Sequence, residues 1–61
     1  MKAYTVKQNT YDFYNGQMTG TKIIGHYLNK ATAERVVNEN KENQYHTVGN
    51  AYIEEMEINE E

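Results

Sequence analysis

Hydrophobic and polar positions alternate near the start of the chain, in residues 2–8 (KAYTVKQ). Tyr4 and Val6 fall on one side of this segment, and smaller or polar residues fall on the other. A period of two is typical of a β-strand with one face turned towards a core. The segment therefore predicts a first strand.

A second strand is predicted by residues 22–28 (KIIGHYL), which are rich in β-forming side chains. Asn15-Gly16 and Gly20 lie between the two strands and are turn signals, because Asn-Gly suits the positive dihedral angles of a tight turn. We expect an antiparallel hairpin with a long, tyrosine-rich connection. His26 is in phase with Ile24 and Leu28, which predicts a partly buried histidine with a hydrogen-bond partner.

A helix is predicted from Lys30 onwards, in the segment KATAERVVNENKEN. Asn29 is a good N-cap, because its side-chain oxygen can accept a hydrogen bond from an amide two or three residues further on. Leu28 and Ala33 occupy the positions of a hydrophobic staple. The apolar period is lost after Val37, so we expect the last turns to be held by local polar contacts.

A third strand is predicted in residues 51–58 (AYIEEMEI). The order strand, strand, helix, strand predicts an α+β fold, in which a right-handed crossover makes the second and third strands parallel. The preferred arrangement places the first strand between them, in the sheet order 2-1-3, with the helix on one face. Residues 1–61 form one domain, and its predicted core is Tyr4, Val6, Ile24, Leu28, Ala33, Val36 and Val37.

The third strand has a phase error, because Ile53 falls out of step with Met56 and Ile58. One interpretation is a β-bulge at Glu54-Glu55, which would return these apolar side chains to a single face. The other is a regular strand buried on both sides, once under the helix and once under a partner. Ile23 and Tyr27 are expected on the face that the helix leaves uncovered, and the third strand adds either Ile53 or the set Tyr52, Met56 and Ile58 to it. These apolar residues allow burial under a partner, and both interpretations stay open.

Length, cysteine content and charge limit the kinds of protein that this chain can be. A chain of 61 residues without cysteine has no disulfide or thiolate zinc site to support a small core, and it buries about 60% of its unfolded surface. The net charge is -3, with an excess of lysine in residues 1–30 and eight glutamates in residues 31–61. This balance argues against direct nucleic-acid binding, which depends on Lys and Arg.

No apolar run suggests a signal peptide or a membrane span, so we expect a cytoplasmic protein.

Catalytic and metal-binding chemistry find no support in the motifs. The chain has no cysteine or serine nucleophile, no phosphate loop and no metal-ligand spacing around His26 or His46, which is expected in a solvated loop. Glu54 and Glu55 are adjacent, so a regular strand points them to opposite faces and they cannot act as an acid/base pair. We expect no catalytic residues, cofactor or metal.

Two features indicate contact with another protein. Tyrosine is enriched at interfaces, although the rings of the hairpin connection could equally cap the core. The C-terminal glutamates could guard an exposed edge strand, or Glu55 and Glu57, which share a face, could meet a basic surface. The candidate residues for self-interaction or partner binding are Tyr11, Phe13, Tyr14, Ile23, Tyr27, Tyr52, Glu54, Glu55 and Glu57.

The segment KIIGHYLNKATAERVV and the closing YIEEMEINEE resemble small strand-strand-helix-strand domains of unknown function from bacteria and their phages. The resemblance covers about half the chain and departs from the pattern at His26, where a hydrophobic residue is usual. It implies a small acidic protein that blocks a host protein, such as a defence component. We therefore expect a non-enzymatic, homodimeric binding protein; the alternatives are an accessory scaffold of a virion or regulatory complex, and a small-ligand or nucleotide binder.

Overall fold

The computed structural model describes residues 1–58, which form three strands and one helix. In chain order these are β1 (Lys2–Tyr11), β2 (Met18–Tyr27), α1 (Lys30–Glu39) and β3 (Tyr52–Glu57). β1 lies in the middle of the sheet and is antiparallel to both neighbours, in the order β2-β1-β3. The predicted α+β fold with strand order 2-1-3 is confirmed.

The hairpin is longer, and its turn shorter, than the sequence suggested. The Asp12 amide donates to the Gln17 carbonyl at 2.8 Å, and the Gly16 amide donates back to the Asp12 carbonyl at 2.9 Å. Gly16 has a φ of 70°, which glycine adopts without steric cost, so the predicted turn at Asn15-Gly16 is confirmed. Gly20 is different: it lies inside β2 opposite Thr10, so its assignment to the turn was wrong.

The helix begins as predicted. The side-chain oxygen of Asn29 accepts hydrogen bonds from the amides of Ala31 and Thr32, at 2.8 and 3.4 Å. At the other end, the Asn40 side chain donates to a carbonyl of the last turn at 2.8 Å. Leu28 is 65% exposed, so its predicted place in the core was wrong and it contributes little to a staple.

The core lies at one end of the sheet because the helix is short. Ten residues give a helix of about 15 Å, whereas ten residues of strand extend about 33 Å. The helix therefore covers less than half of the hairpin. Val6, Ala33 and Ala51 are buried, and the partly buried side chains around them are Tyr4, Ile24, Tyr27, Val36, Val37 and Ile53.

A register shift in β2 decides which side chains reach this core. Val6 pairs with Gly25, but Lys7 pairs with Ile23, so Ile24 is an extra residue in β2. An extra residue changes the phase of the strand, since two residues then oppose one. Ile24 and Gly25 consequently share the helix side, while Ile23 faces the opposite side.

This bulge corrects two predictions about faces. Tyr27 pairs with Tyr4 and packs against the core on the helix side, so its predicted position on the uncovered face was wrong. His26 pairs with Thr5 on the uncovered side, so its predicted phase with Ile24 was also wrong. The sequence offered a bulge in the third strand as one of two interpretations and none in the second, because a pattern of single residues does not show which strand carries the extra residue.

β3 itself is regular. It pairs with β1 through six consecutive residue pairs without a shift, which excludes the alternative of a bulge at Glu54-Glu55. Ile53 faces the helix, and Tyr52 and Met56 lie on the opposite side of the sheet. The phase error in this strand therefore reflects apolar residues on both faces.

Candidate interaction surfaces

The side of the sheet opposite α1 has no covering element within the described residues 1–58. Ala3 and Thr5 of the central strand are buried there, although no helix lies above them. Longer side chains from the neighbouring strands surround these two small residues. We call this surface the open sheet face and define it by its exposed strand residues Ile23, His26, Tyr52, Glu54 and Met56.

Hydrogen bonds hold the centre of the open sheet face. The Thr5 hydroxyl lies 2.9 Å from Nδ1 of His26 and 3.2 Å from Sδ of Met56. When the His26 proton is on Nδ1, the ring donates to the Thr5 hydroxyl and this hydroxyl donates to the Met56 sulfur. Two consecutive hydrogen bonds then connect all three strands. The predicted hydrogen-bond partner of His26 is thereby confirmed, whereas its predicted partial burial was wrong, because the residue is exposed.

Apolar side chains flank this polar centre. Ile23 is 56% exposed and Met56 is 45% exposed, and Tyr52 is also exposed. An antiparallel sheet that meets water on one side normally carries polar residues there. The open sheet face is thus less polar than a face intended for solvent.

Two ion pairs join β1 to β3 and reduce the free charge of the glutamates. Nζ of Lys7 lies 2.7 Å from Glu54 on the open sheet face, and Nζ of Lys2 lies 2.7 Å from Glu55 on the helix side. The hydrogen bond from Lys2 lowers the pKa of Glu55 and raises the pKa of Lys2. The hydrogen bond to Glu54 likewise raises the pKa of Lys7. As predicted for a regular strand, Glu54 and Glu55 point to opposite faces.

Glu57 has a weaker partner. Its carboxylate lies 3.4 Å from the amino group of Met1. The register places Glu57 on the same face as Glu55, as predicted, so the pair can still present a short carboxylate row beside the helix. Glu60 and Glu61, which belong to the predicted acidic tail, lie outside the described residues.

Both edges of the sheet carry features that oppose pairing with another strand. The β2 edge has register shifts near both ends and carries Lys22. The β3 edge is six residues long and carries Glu54, Glu55 and Glu57. Bulges, short length and charge are the usual protection of exposed edges. The open sheet face is therefore a more accessible contact surface than either edge.

A second exposed surface lies at the hairpin turn. The rings of Phe13 and Tyr14 meet edge to face with centroids 5.6 Å apart, and the Phe13 ring lies 6.5 Å from that of Tyr45. Tyr14 is 94% exposed. We call Phe13, Tyr14 and Tyr45 the aromatic tip. Tyr11 does not belong to it, because its ring lies against Gly49 at the end of β1.

Sequence reasoning found two members of the aromatic tip and missed the third. Phe13 and Tyr14 were candidates because they crowd into the hairpin connection. Tyr45 comes from the loop between α1 and β3, some thirty residues away. An unusual aromatic residue in a polar loop was the available signal, but topology alone brings it to the turn.

The loop also contains His46, which is exposed as predicted. Its φ is 56°, and its Nδ1 contacts the carboxylate of Glu42. Among residues 1–58, no three His, Cys, Asp or Glu side chains are close enough to hold a metal ion. The described part of the chain also has no helix with the length and hydrophobicity to cross a bilayer.

Comparison with family models, curated proteins and solved structures gives no match to this chain. The resemblance to small bacterial and phage domains therefore stays a prediction.

Proposed function

We propose that this chain is a non-enzymatic protein-binding protein that forms a homodimer through the open sheet face. The observation that carries the proposal is the exposure of Ile23 and Met56 on a sheet face that no element of residues 1–58 covers. Layered domains bury each apolar sheet face against another element. A second copy supplies such an element without any further chain.

The charge distribution supports a second copy as the occupant. Lys7 and Glu54 neutralise each other on the open sheet face at 2.7 Å. Two identical faces brought together therefore do not oppose each other with net charge of one sign. The protected edges of β2 and β3 favour stacking of faces over extension of the sheet.

The size of the face limits the strength of this dimer. Six residues of paired strand extend about 20 Å and three strands span about 14 Å, which gives a projected area of roughly 300 Å². A standard interface buries about 800 Å² of accessible surface on each partner. The side chains that project from this face make its accessible surface larger than its projected area, so the dimer interface lies at the lower end of known interface sizes. We expect a dissociation constant in the micromolar range or weaker.

Sedimentation equilibrium at concentrations up to hundreds of micromolar tests the dimer. The 7.1 kDa chain should approach twice its mass, and Ile23→Lys or Met56→Lys should return it to a monomer. Leu28→Lys is the matched control, because Leu28 is exposed but lies between β2 and α1, outside the open sheet face. A monomeric wild type throughout, or a dimer unaffected by Ile23→Lys, would contradict the proposal.

The proposal extends to a target protein. The resemblance to bacterial and phage domains favours an inhibitor that occludes a host defence protein in the cytoplasm, of the host cell if the chain is phage-encoded. Glu55 and Glu57 are the candidate contacts for a basic surface on that target. Their pairing with Lys2 and Met1 leaves this row only partly free, so the contact must displace or include those cations.

Affinity capture separates the inhibitor from the scaffold alternative. An inhibitor should retain one host protein, whereas an accessory scaffold should retain its own assembly partners. Glu55→Lys with Glu57→Lys should abolish the capture if the carboxylate row is the contact. Unchanged capture would leave these glutamates with edge protection as their role.

A further inference from the structure

A depression of about 360 Å³ lies beside the hairpin turn, apart from the open sheet face. Its walls come from the end of β1, the turn and the loop between α1 and β3. The lining residues that matter here are Tyr11, Gly16, Glu42, His46 and Gly49. Its volume is within the range of small-ligand sites.

Hydrogen bonds hold the loop side of this depression in place. The Tyr11 amide donates to the Thr47 carbonyl at 2.7 Å, and the Gly49 amide donates to the Asn9 carbonyl at 2.9 Å. Within the loop, Oδ1 of Asn43 accepts from the Thr47 amide at 2.9 Å. The loop thus continues the pairing of β1 and presents a largely preformed wall.

Tyr11 and Gly49 lie against each other in the lining. A Cβ atom at Gly49 would lie 3.2 Å from Cε2 of Tyr11, so the ring lies directly against the loop backbone. Gly16, which also lines the depression, has no atom within 4 Å of the corresponding position. An aromatic ring in the lining, with open space at Gly16, can contact a planar group.

The charged groups of the lining determine the kind of ligand. Among the described residues that line the depression, Glu42 supplies a carboxylate and His46 an imidazole, and there is no Lys or Arg. A nucleotide phosphate would therefore lack a cationic partner, which argues against the nucleotide-binding alternative. A carboxylate and an aromatic ring in one lining favour a planar cation instead.

The Glu42 carboxylate already has one nitrogen partner within the chain. Nδ1 of His46 contacts it, and His46 has a φ of 56°, which is uncommon for a residue with a side chain. Both side chains are accessible, with 77% of His46 and 45% of Glu42 exposed. A cation from outside can therefore replace the imidazole on this carboxylate.

We propose that the depression binds a guanidinium group. The Glu42 carboxylate accepts two parallel N–H bonds from its edge, and the Tyr11 ring contacts its face, while His46 moves aside. The fork of donors on a guanidinium matches a carboxylate, and its planar cation stacks on aromatic rings, whereas an ammonium has neither property. This site is independent of the homodimer.

An amide NMR titration with N-acetyl-arginine amide tests the proposal on the full chain. The amides of Tyr11, Gly16 and Gly49 should shift and saturate. N-acetyl-lysine amide should bind about tenfold more weakly, because it cannot form the bidentate contact. Free arginine distinguishes the source of the group: weaker binding than N-acetyl-arginine amide would assign the site to arginine side chains of proteins, and equal or tighter binding would assign it to the free amino acid.

Three variants sharpen the test. Glu42→Gln should weaken the binding of N-acetyl-arginine amide by about tenfold, because the acceptor loses its charge. Glu39→Gln removes the same charge from an exposed helix position and should leave binding unchanged. His46→Asn preserves tolerance of a positive φ and removes the competing imidazole, so it should strengthen binding.

Several results would overturn the site. These are an absence of saturable shifts with N-acetyl-arginine amide, equal affinity for the lysine analogue, and unchanged affinity in Glu42→Gln. The amide spectrum of each variant shows at the same time whether the fold is retained. Loss of the dimer in Ile23→Lys has no bearing on these outcomes, so the two proposals can fail separately.

Discussion

Gly25→Ala tests whether the bulge in β2 positions Tyr27 over the core. A Cβ atom at Gly25 would lie 2.7 Å from the Tyr27 hydroxyl oxygen and 3.0 Å from Cζ. The ring therefore covers the glycine backbone, an arrangement that leaves no space for a side chain. Gly25 does not have a positive φ, so alanine brings no backbone strain of its own.

Two effects of opposite sign determine the outcome. Alanine is better than glycine inside a strand by roughly 0.5–1 kcal/mol, because it loses less backbone entropy. Against this, the ring must leave its position; a half-buried tyrosine hides about 100 Å², which is worth about 2 to 3 kcal/mol at 25 cal/mol per Å². We expect a net destabilisation of about 1–2 kcal/mol, out of a total of about 3–9 kcal/mol for a chain of this length.

Urea unfolding followed by far-ultraviolet circular dichroism measures this difference. A double-mutant cycle with Tyr27→Val removes the ring while keeping a good strand former. In that background Gly25→Ala should become stabilising by about 0.5–1 kcal/mol. Destabilisation of equal size in both backgrounds would refute the account, because the cost would then not come from the ring.

Two further predictions concern the helix cap and the ion pair of β3. Asn29→Ala should destabilise the chain by about 1 kcal/mol, since two helix amides lose their acceptor. Asn38→Ala, at an exposed helix position, is the control and should be neutral or stabilising. Equal urea midpoints for the two variants would contradict this prediction. Lys2 lowers the pKa of Glu55 below its usual 4.5, so the stabilisation from this pair is present above pH 4.5 and is lost as the pH falls through the lowered value. Carboxyl NMR titration should show the Glu55 pKa returning towards 4.5 in Lys2→Met, and an unchanged value would show that Lys2 is not the cause.

Local patterns were sufficient for the elements of this fold. The alternation around Val6, the turn at Asn15-Gly16 and the cap at Asn29 each involve residues within a few positions of one another. Their chemistry acts over the same short distances, so the sequence alone predicts it. The strand order followed as well, because a crossover through a helix restricts the possible arrangements.

Such local patterns did not predict which side chains of β2 lie on each face of the sheet. A period-two count assumes an unbroken strand, and the extra residue at Ile24 reverses the phase of everything that follows it. Tyr27 and His26 exchanged sides for this reason. Gly25 supplied a weak signal, since glycine inside a strand often marks a bulge or a close approach.

For the candidate sites too, the sequence determined some properties and the tertiary structure decided others. Sequence alone determined that Ile23, Tyr52 and Met56 needed a buried environment or a partner, because their hydrophobicity is a local property. Only the tertiary structure decided that they share one face, that Tyr45 joins the turn, and that Glu42 and Tyr11 line one depression. Such contacts join residues far apart in the chain, and their geometry depends on register and loop path, which no short segment encodes.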